Sequence, residues 1–315
     1  MGYWSVTVRG MLTLETIQAA AARIHPYIHQ TPVFTSQGLD RRFGKRLFFK
    51  GEHLQKTGSF KARGALNAAL QLQNPKGLIA VSSGNHAQGV AYAAQVIGRP
   101  ALIVMPQDAS PLKKAATHAY GAEVYDQGVT VENREQVVRE LAQELGYELI
   151  HPFDDLRVMA GQGTQALELL QQVPELDAVL VAVGGGGLIS GIATVVKTLR
   201  PECAVIGVEP ETANDAQQSL QVGTRIKLMG APQTVADGVR TLVVGEHTFP
   251  VMQNHVDRIL TVPDSVTLEA QGLMMSRLKQ VVEPTAGLAL GPLLMDYDLP
   301  QRVAVIVCGG NWLPA

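Results

Sequence analysis

The stretch AVLVAVGGGGLISGIATVVKTL, residues 178–199, decides the fold. Residues 178–183 form an apolar, β-branched run of the length of one buried strand, and residues 188–199 carry apolar side chains at helical spacing. Between them stand Gly184, Gly185, Gly186 and Gly187. A buried strand, a glycine turn and a helix make half of a parallel βαβ unit. Glycines there let the backbone approach a ligand closely and aim several N–H groups at one phosphate. No Gly-Lys-Ser/Thr follows, so this is not a P-loop, and the GxGxxG spacing of a dinucleotide site is missing. A flexible linker is the bland alternative, but a bare linker needs no such run between a buried strand and a helix.

The same rhythm extends in both directions. Strands are expected at 46–50, 78–81, 101–105, 123–125, 204–208, 258–262 and 303–307. Helices are expected at 13–24, 60–72, 85–97, 111–120, 130–145, 162–172, 265–279 and 285–295. Alternation of this kind predicts an α/β fold with two open parallel sheets whose strands are covered on both faces. Turns near residues 72–77 and 146–154 are the candidate hinges. They divide the chain into a large unit, 1–72 with 153–315, and a small unit, 73–152.

Composition excludes several classes. In 315 residues, 46% are hydrophobic and 17% charged, with a net charge of -2, so neither nucleic acid nor an anionic membrane is an expected partner. The two cysteines, Cys203 and Cys308, cannot form a disulfide framework and sit in no metal-binding spacing, which favours a reducing compartment. No apolar run is long enough to span a bilayer, and residues 1–10 lack a signal core, so a cytoplasmic location is expected. That decapeptide reads as a frayed extension ahead of Met11.

In open parallel sheets ligands gather at the carboxyl ends of strands, and the turns there are chemically unusual. After the strand at 46–50 comes QKTGSFKARGA, residues 55–65, with Lys61 at a helix start and Ser59 as its N-cap candidate. The helix dipole disfavours an ammonium there, which suits a Schiff-base lysine; a solvated surface lysine is the alternative. After the strand at 78–81 come Ser82, Ser83, Gly84, Asn85 and His86, opening a helix. Such a turn is either an anion site for a carboxylate or a simple N-cap. Glu209 and Asp215, six residues apart, suit a hard cation with oxygen ligands, or are solvated acids at a helix entrance. Cys308 ends the last strand as a core hydrophobe or as a neutral partner for a ring nitrogen. Jointly these elements describe a phosphorylated aromatic aldehyde, pyridoxal phosphate: Lys61 for its carbon, the glycine loop for its phosphate, Cys308 for its ring nitrogen.

The chain resembles the fold-type II pyridoxal-phosphate enzymes, in the threonine/serine dehydratase and serine racemase branch. The resemblance rests on QKTGSFKARGA, SSGNHAQ (82–88), ENRE (132–135), HPFDD (151–155), AGQGT (160–164), VGGGG (183–187), GVEPETAND (207–215), ADGVR (236–240), EPTAG (283–287) and CGGN (308–311). It implies two α/β domains with the cofactor between them. It makes Lys61 the Schiff-base lysine, with Phe60 beside it, and places Asn85 at the pyridoxal 3-oxygen and Gly184 to Gly187 at the phosphate. The substrate would meet Ser82, Ser83, Asn85 and His86, with Arg134 and Thr241 as further contacts. Ser83 would be the second acid/base of any racemisation. Glu209, the Ala213 carbonyl and Asp215 would form a divalent-cation site for Mg²⁺ or Mn²⁺, with Ca²⁺ as a further candidate. A homodimer is implied, and a nucleotide effector is left open.

Cys308 stands where many such enzymes have serine. Either group is neutral, which leaves the ring nitrogen unprotonated and favours prompt loss of a β-substituent over a long-lived carbanion. The expected function is therefore dehydration of L-threonine or L-serine to a 2-oxo acid and ammonia. A serine racemase, a 3-hydroxyaspartate dehydratase with Arg240 as acid-binding residue, and a non-catalytic nucleotide-binding protein are the alternatives. Beside the isoleucine-sensitive members that the resemblance brings in, the short stretch after CGGN makes feedback control by isoleucine an unexpected property here.

Overall fold

The computed structural model describes residues 11–312 apart from residues 110, 131 and 296 and the side chain of Leu112; the decapeptide read as an extension lies outside this range. The larger sheet contains β1 (Val33–Phe34), β2 (Arg46–Lys50), β7 (Ala178–Ala182), β8 (Ala204–Pro210), β9 (Arg258–Val262) and β10 (Arg302–Ile306), in the order β1-β2-β10-β7-β8-β9. The smaller holds β3 (Leu78–Val81), β4 (Ala101–Val104), β5 (Glu123–Tyr125) and β6 (Glu148–Leu149), in the order β5-β4-β3-β6. The smaller sheet is parallel throughout. The larger is mixed, because β1 pairs antiparallel with β2 in the register Val33 to Lys50. The link between those two strands is only a short helix, α2 (Gln37–Phe43), capped by the Ser36 hydroxyl and ended by Gly44 at φ 63. A return that short suits an antiparallel edge better than a crossover.

The other helices are α1 (Leu14–Ile24), α3 (Lys61–Ala69), α4 (Asn85–Val96), α5 (Pro111–Ala119), α6 (Arg134–Leu145), α7 (Leu156–Gln172), α8 (Gly187–Leu199), α9 (Asp215–Val222), α10 (Thr248–His255), α11 (Asp264–Leu273) and α12 (Pro284–Leu290). β3 and β7 are buried along their whole length, as strands covered on both faces must be. One apolar core surrounds the larger sheet; α3, α4 and one face of the smaller sheet share another. None of the described helices is long and apolar enough to cross a membrane.

Several boundaries differ from expectation, each for a local reason. α7 starts at Leu156 because the Asp155 carboxylate accepts from the Arg157 N–H and caps it there. α6 starts at Arg134 because Thr130 and Asn133 exchange side-chain hydrogen bonds and hold a turn instead. Pro292 tightens the end of the expected 285–295 helix into a 3-10 turn, Gly291–Leu294. Ser59 does not cap α3: it is extended, bridges to Gly309, and leaves its hydroxyl without a partner among the described residues.

Candidate active site

The unusual turns do converge, at the carboxyl ends of β3, β7 and β10. The segment ahead of Lys61 is stitched to the end of β10, where the Phe60 N–H donates to the Cys308 carbonyl at 3.1 Å. Lys61, the first residue of α3, directs its amine to the Pro152 carbonyl at 2.7 Å, and the Phe60 ring lies 5.2 Å from the nitrogen. Burial lowers its pKa to about 8, while Cys308 and Glu283 pull it upward. Burial is the leading cause.

Asn85 is locked by two neighbours that sequence reasoning left without a role. Its Nδ2 donates to both carboxylate oxygens of Glu283 at 3.0 Å, and its Oδ1 accepts from Asn311 Nδ2 at 2.7 Å. Asn311 Nδ2 also donates to the Thr57 carbonyl at 2.8 Å. An ionised carboxylate only accepts, so the orientation of the Asn85 amide follows from the network. Burial pushes the Glu283 carboxyl up to about 7, Asn85 opposing it and the charge of Asp237 adding to it. The Cys308 thiol lies 4.0 Å from Glu283 Oε1. Burial holds that thiol far above its ordinary range, so it is neutral. EPTAG and CGGN were both legible as motifs; what the sequence lacked was the fold contact that brings Glu283 against Asn85 and Cys308.

The glycine loop sits at the start of α8, with Gly186 at φ 90 as N-cap and no side-chain cap on the first-turn N–H groups. Those donors are free for an anion. A side chain is shut out at Gly185, where a Cβ would lie 2.3 Å from the Phe153 ring, and crowded at Gly184, where it would lie 3.1 Å from Val239 Cα and 3.5 Å from Thr241 Cγ2. Thr241 therefore borders the loop, and its buried hydroxyl has no partner among the described residues. Thr248 Oγ1 braces the loop from behind through the Gly185 carbonyl at 2.8 Å.

The turn at the start of α4 is not a simple N-cap. Gly84 occupies the cap position with no side-chain hydrogen bond, and the Ser82 hydroxyl accepts from the Gly84 N–H at 3.1 Å. Ser83 is partly buried in the same turn. His86 donates Nε2–H to the Ile150 carbonyl at 2.8 Å, which makes Nδ1 a bare acceptor, buried and unpartnered among the described residues. Burial, and then the charge of Lys61, lower the His86 pKa to about 3, so the ring is neutral. His151 Nδ1 accepts from the Phe153 and Asp154 N–H groups, at 3.3 and 2.8 Å. Arg134 opens α6 and keeps a buried Nε without a partner among the described residues; its neighbour Glu135 acts on His151. Arg240 does not face the site: it is exposed, and its guanidinium turns back onto the Thr234 carbonyl.

Glu209 and Asp215 are neither on a loop nor solvated. Glu209 is within β8, Asp215 is the first residue of α9, and both are fully buried. Glu209 accepts from the Ala216 and Gln217 N–H groups at 3.0 and 2.8 Å. Neither oxygen of Asp215 has a well-formed hydrogen bond among the described residues. Burial raises the Asp215 carboxyl to about 7, and burial together with the Asp215 charge raises Glu209 well above the carboxylate range. Two buried, under-satisfied carboxylates fit a hard cation, with backbone carbonyl and water completing the shell. Among the described residues no cluster of three or more His, Cys, Asp or Glu side chains competes for a metal.

The sequence pattern of the family described as "Pyridoxal-phosphate dependent enzyme" matches residues 24–309. The chain belongs to that family. It is 47% identical over 304 residues to L-threo-3-hydroxyaspartate ammonia-lyase of Saccharomyces cerevisiae, covering 95% of this chain and 93% of that protein. It is 41% identical to serine racemase of Schizosaccharomyces pombe, over 95% of this chain and 94% of that one. Among solved structures, the T.th. threonine deaminase superposes with a TM-score of 0.94 at 58% identity, covering 96% of this chain and 99% of that chain. The residues present fit the family's cofactor. They offer an amine of lowered pKa, an uncapped glycine-lined helix start for a phosphate, and a neutral thiol for a ring nitrogen.

Proposed function

We propose that the protein is an ammonia-lyase that eliminates water from L-β-hydroxy amino acids, L-threonine, L-serine or L-threo-3-hydroxyaspartate; the released enamine takes up water again on hydrolysis to a 2-oxo acid and ammonia. The observation that carries this reading is the Lys61 amine, poised at about 8 and held on the Pro152 carbonyl. An amine of that pKa can take up the substrate α-proton near neutral pH. Bound pyridoxal phosphate supplies the electron sink for the carbanion. The protein's own part is to hold and orient. Lys61 carries the cofactor and then acts as base. The Ser82 to His86 turn holds the substrate carboxylate, the Gly184 to Gly187 loop holds the phosphate, and neutral Cys308 leaves the ring nitrogen without a proton. Glu209, Asp215 and the Ala213 carbonyl hold Mg²⁺ or Mn²⁺ away from the chemistry.

For an acidic substrate, Arg134, whose buried Nε has no partner among the described residues, is the candidate donor to a side-chain carboxylate. Two ammonia-lyases acting on 3-hydroxyaspartate, at 47% and 48% identity, support including that substrate. The test is release of 2-oxo acid from the three amino acids by the cofactor-loaded protein, with Lys61→Ala alongside. Removal of Lys61 is expected to cost at least about 10²- to 10⁴-fold, the general-base share alone. Wild-type turnover by Lys61→Ala sinks the assignment. Racemisation without oxo-acid release by the wild-type protein makes it a racemase, with Ser83 as the acid on the second face.

A further inference from the structure

The face of α3 turned away from the site carries the most heavily bonded side chain among the described residues. Arg63 lies two residues after Lys61, about 200° around the helix, so the two point to opposite sides. Its guanidinium is fully buried and grips two carboxylates in forked fashion. Nε and Nη2 donate to Glu52 at 2.7 and 2.8 Å, and Nη1 and Nη2 donate to Glu168 at 2.7 and 2.9 Å. Nη1 also reaches Thr164 Oγ1 at 3.0 Å. Lys50, equally buried, closes the circuit with Glu168 at 2.6 Å, the Thr31 carbonyl at 2.7 Å and Gln172 at 3.0 Å. Two cations thus face two carboxylates, and the cluster joins α3 to β2, to the turn Glu52–Leu54 and to α7.

The rest of α3 is closely packed: Ala62 to Ala69 are all buried, so a shift at its start is transmitted along the helix. A Cβ on Gly64 would lie 2.3 Å from Gln162 of α7, one on Gly161 of α7 would lie 2.5 Å from the Arg63 carbonyl, and one on Gly89 of α4 would lie 3.1 Å from the Lys61 backbone. The glycines let neighbouring backbone and the Gln162 and Val158 side chains sit directly against α3. The start of α3 has no side-chain cap, and the Lys61 amine makes one hydrogen bond among the described residues. Asn67, one turn beyond Arg63, adds a second polar tie, to Arg23 and to the Arg157 carbonyl.

We infer that Arg63 is a positioning residue: by anchoring α3 from behind, the Lys50–Glu52–Arg63–Glu168 cluster sets where the Lys61 amine stands in the site. A lysine at position 63 keeps the charge but cannot fork two carboxylates at once. The inference rests on Lys61 being the cofactor-bearing lysine. Borohydride reduction and peptide mapping of the wild-type holoenzyme checks that separately, and no label on Lys61 removes the basis.

Arg63→Lys is expected to fold and bind cofactor, while kcat falls about 10- to 100-fold and KM moves less than about threefold, as a misplacement near 1 Å does. The pH midpoint of the bound cofactor's absorption band is expected to shift with it, a signature that loss of stability alone does not produce. Glu52→Gln with Arg63→Met, which removes one charge of each sign, should behave alike. Lower melting temperatures with wild-type kcat and band in both variants would overturn the inference and leave the cluster purely structural. If neither accumulates as folded protein, Glu168→Gln decides by the same readouts: a lowered kcat with a displaced band supports the inference, and wild-type values of both refute it.

Discussion

Replacing Glu283 with glutamine isolates the cost of a carboxylate in the centre of this site. Burial raises the Glu283 carboxyl from 4.5 to about 7, with Asn85 stabilising the charge, Asp237 opposing it and Lys113 partly offsetting it. An acid whose folded pKa is raised is held protonated by the folded chain after the unfolded chain has released its proton. Stability therefore falls as pH rises from about 4.5 to about 7 and is flat above that window. At about 1.4 kcal/mol per pH unit the gap amounts to about 3.5 kcal/mol, of which about 2.5 kcal/mol is lost between pH 5 and pH 8. With an unfolding entropy of about 2.1 cal/mol/K per residue over 315 residues, that is about 4 °C in melting temperature. Glu283→Gln removes the titration but not the shape. It also weakens the hold on Asn85, because a glutamine offers Nδ2 one oxygen instead of the two at 3.0 Å. That second cost does not depend on pH. Melts of the cofactor-free proteins at pH 5 and pH 8 separate the two terms: the difference between variant and wild type should move by about 4 °C in the variant's favour at the higher pH. Parallel curves, differing by a constant, would refute a raised carboxyl at Glu283.

Other expected outcomes follow from the same geometry. A divalent cation at one hundred times its Kd should stabilise the wild-type protein by about 2.7 kcal/mol, about 4 °C on the same conversion. Asp215→Asn should show no such gain, and an equal gain in both proteins would place the cation elsewhere. Ser83→Ala should abolish any racemisation, measured by chiral chromatography of recovered substrate, and keep most oxo-acid release. Equal loss of both would mean that Ser83 also serves elimination.

Much of the fold was legible because its signals are local. The alternation of β-branched runs with helical spacing located β3, β4, β7, β8, β9 and β10 to within two residues, and the motifs singled out Lys61, Asn85 and the glycine loop. The short elements α2, α9 and α10 were missed, since seven or eight residues carry too few turns for a clear period. The antiparallel β1 was invisible because two residues have no alternation to read. In the site, the missing pieces were contacts across long stretches of chain. Asn85 and Glu283 are 198 positions apart, and Asn85 and Asn311 are 226 apart. Nothing in EPTAG announces that its glutamate faces the asparagine at the start of α4. The burial of Glu209 and Asp215 was hidden likewise, because two acids six residues apart read most simply as solvent-exposed until β8 is seen to run on to Pro210.

Charge balance separates the buried ionisable groups that hold this fold from those that await a ligand. Burying a charge costs several kcal/mol unless geometry and hydrogen bonds compensate it. Around Arg63 they do: two cations meet two carboxylates, and both forks of the guanidinium are filled. Nothing there has bonding capacity left for a ligand, so that cluster acts on the site only through α3. Glu209 and Asp215 are the opposite case, two carboxylates with no cation among the described residues and Asp215 lacking a well-formed hydrogen bond. Left alone, such a pair keeps a proton, which is the direction in which both are shifted. Lys61 and Glu283 lie between these cases, with one charge of each sign and both shifted towards neutrality. Two groups that can each be neutral near physiological pH can hold or yield a proton at little cost, as removal of an α-proton in an enclosed site requires.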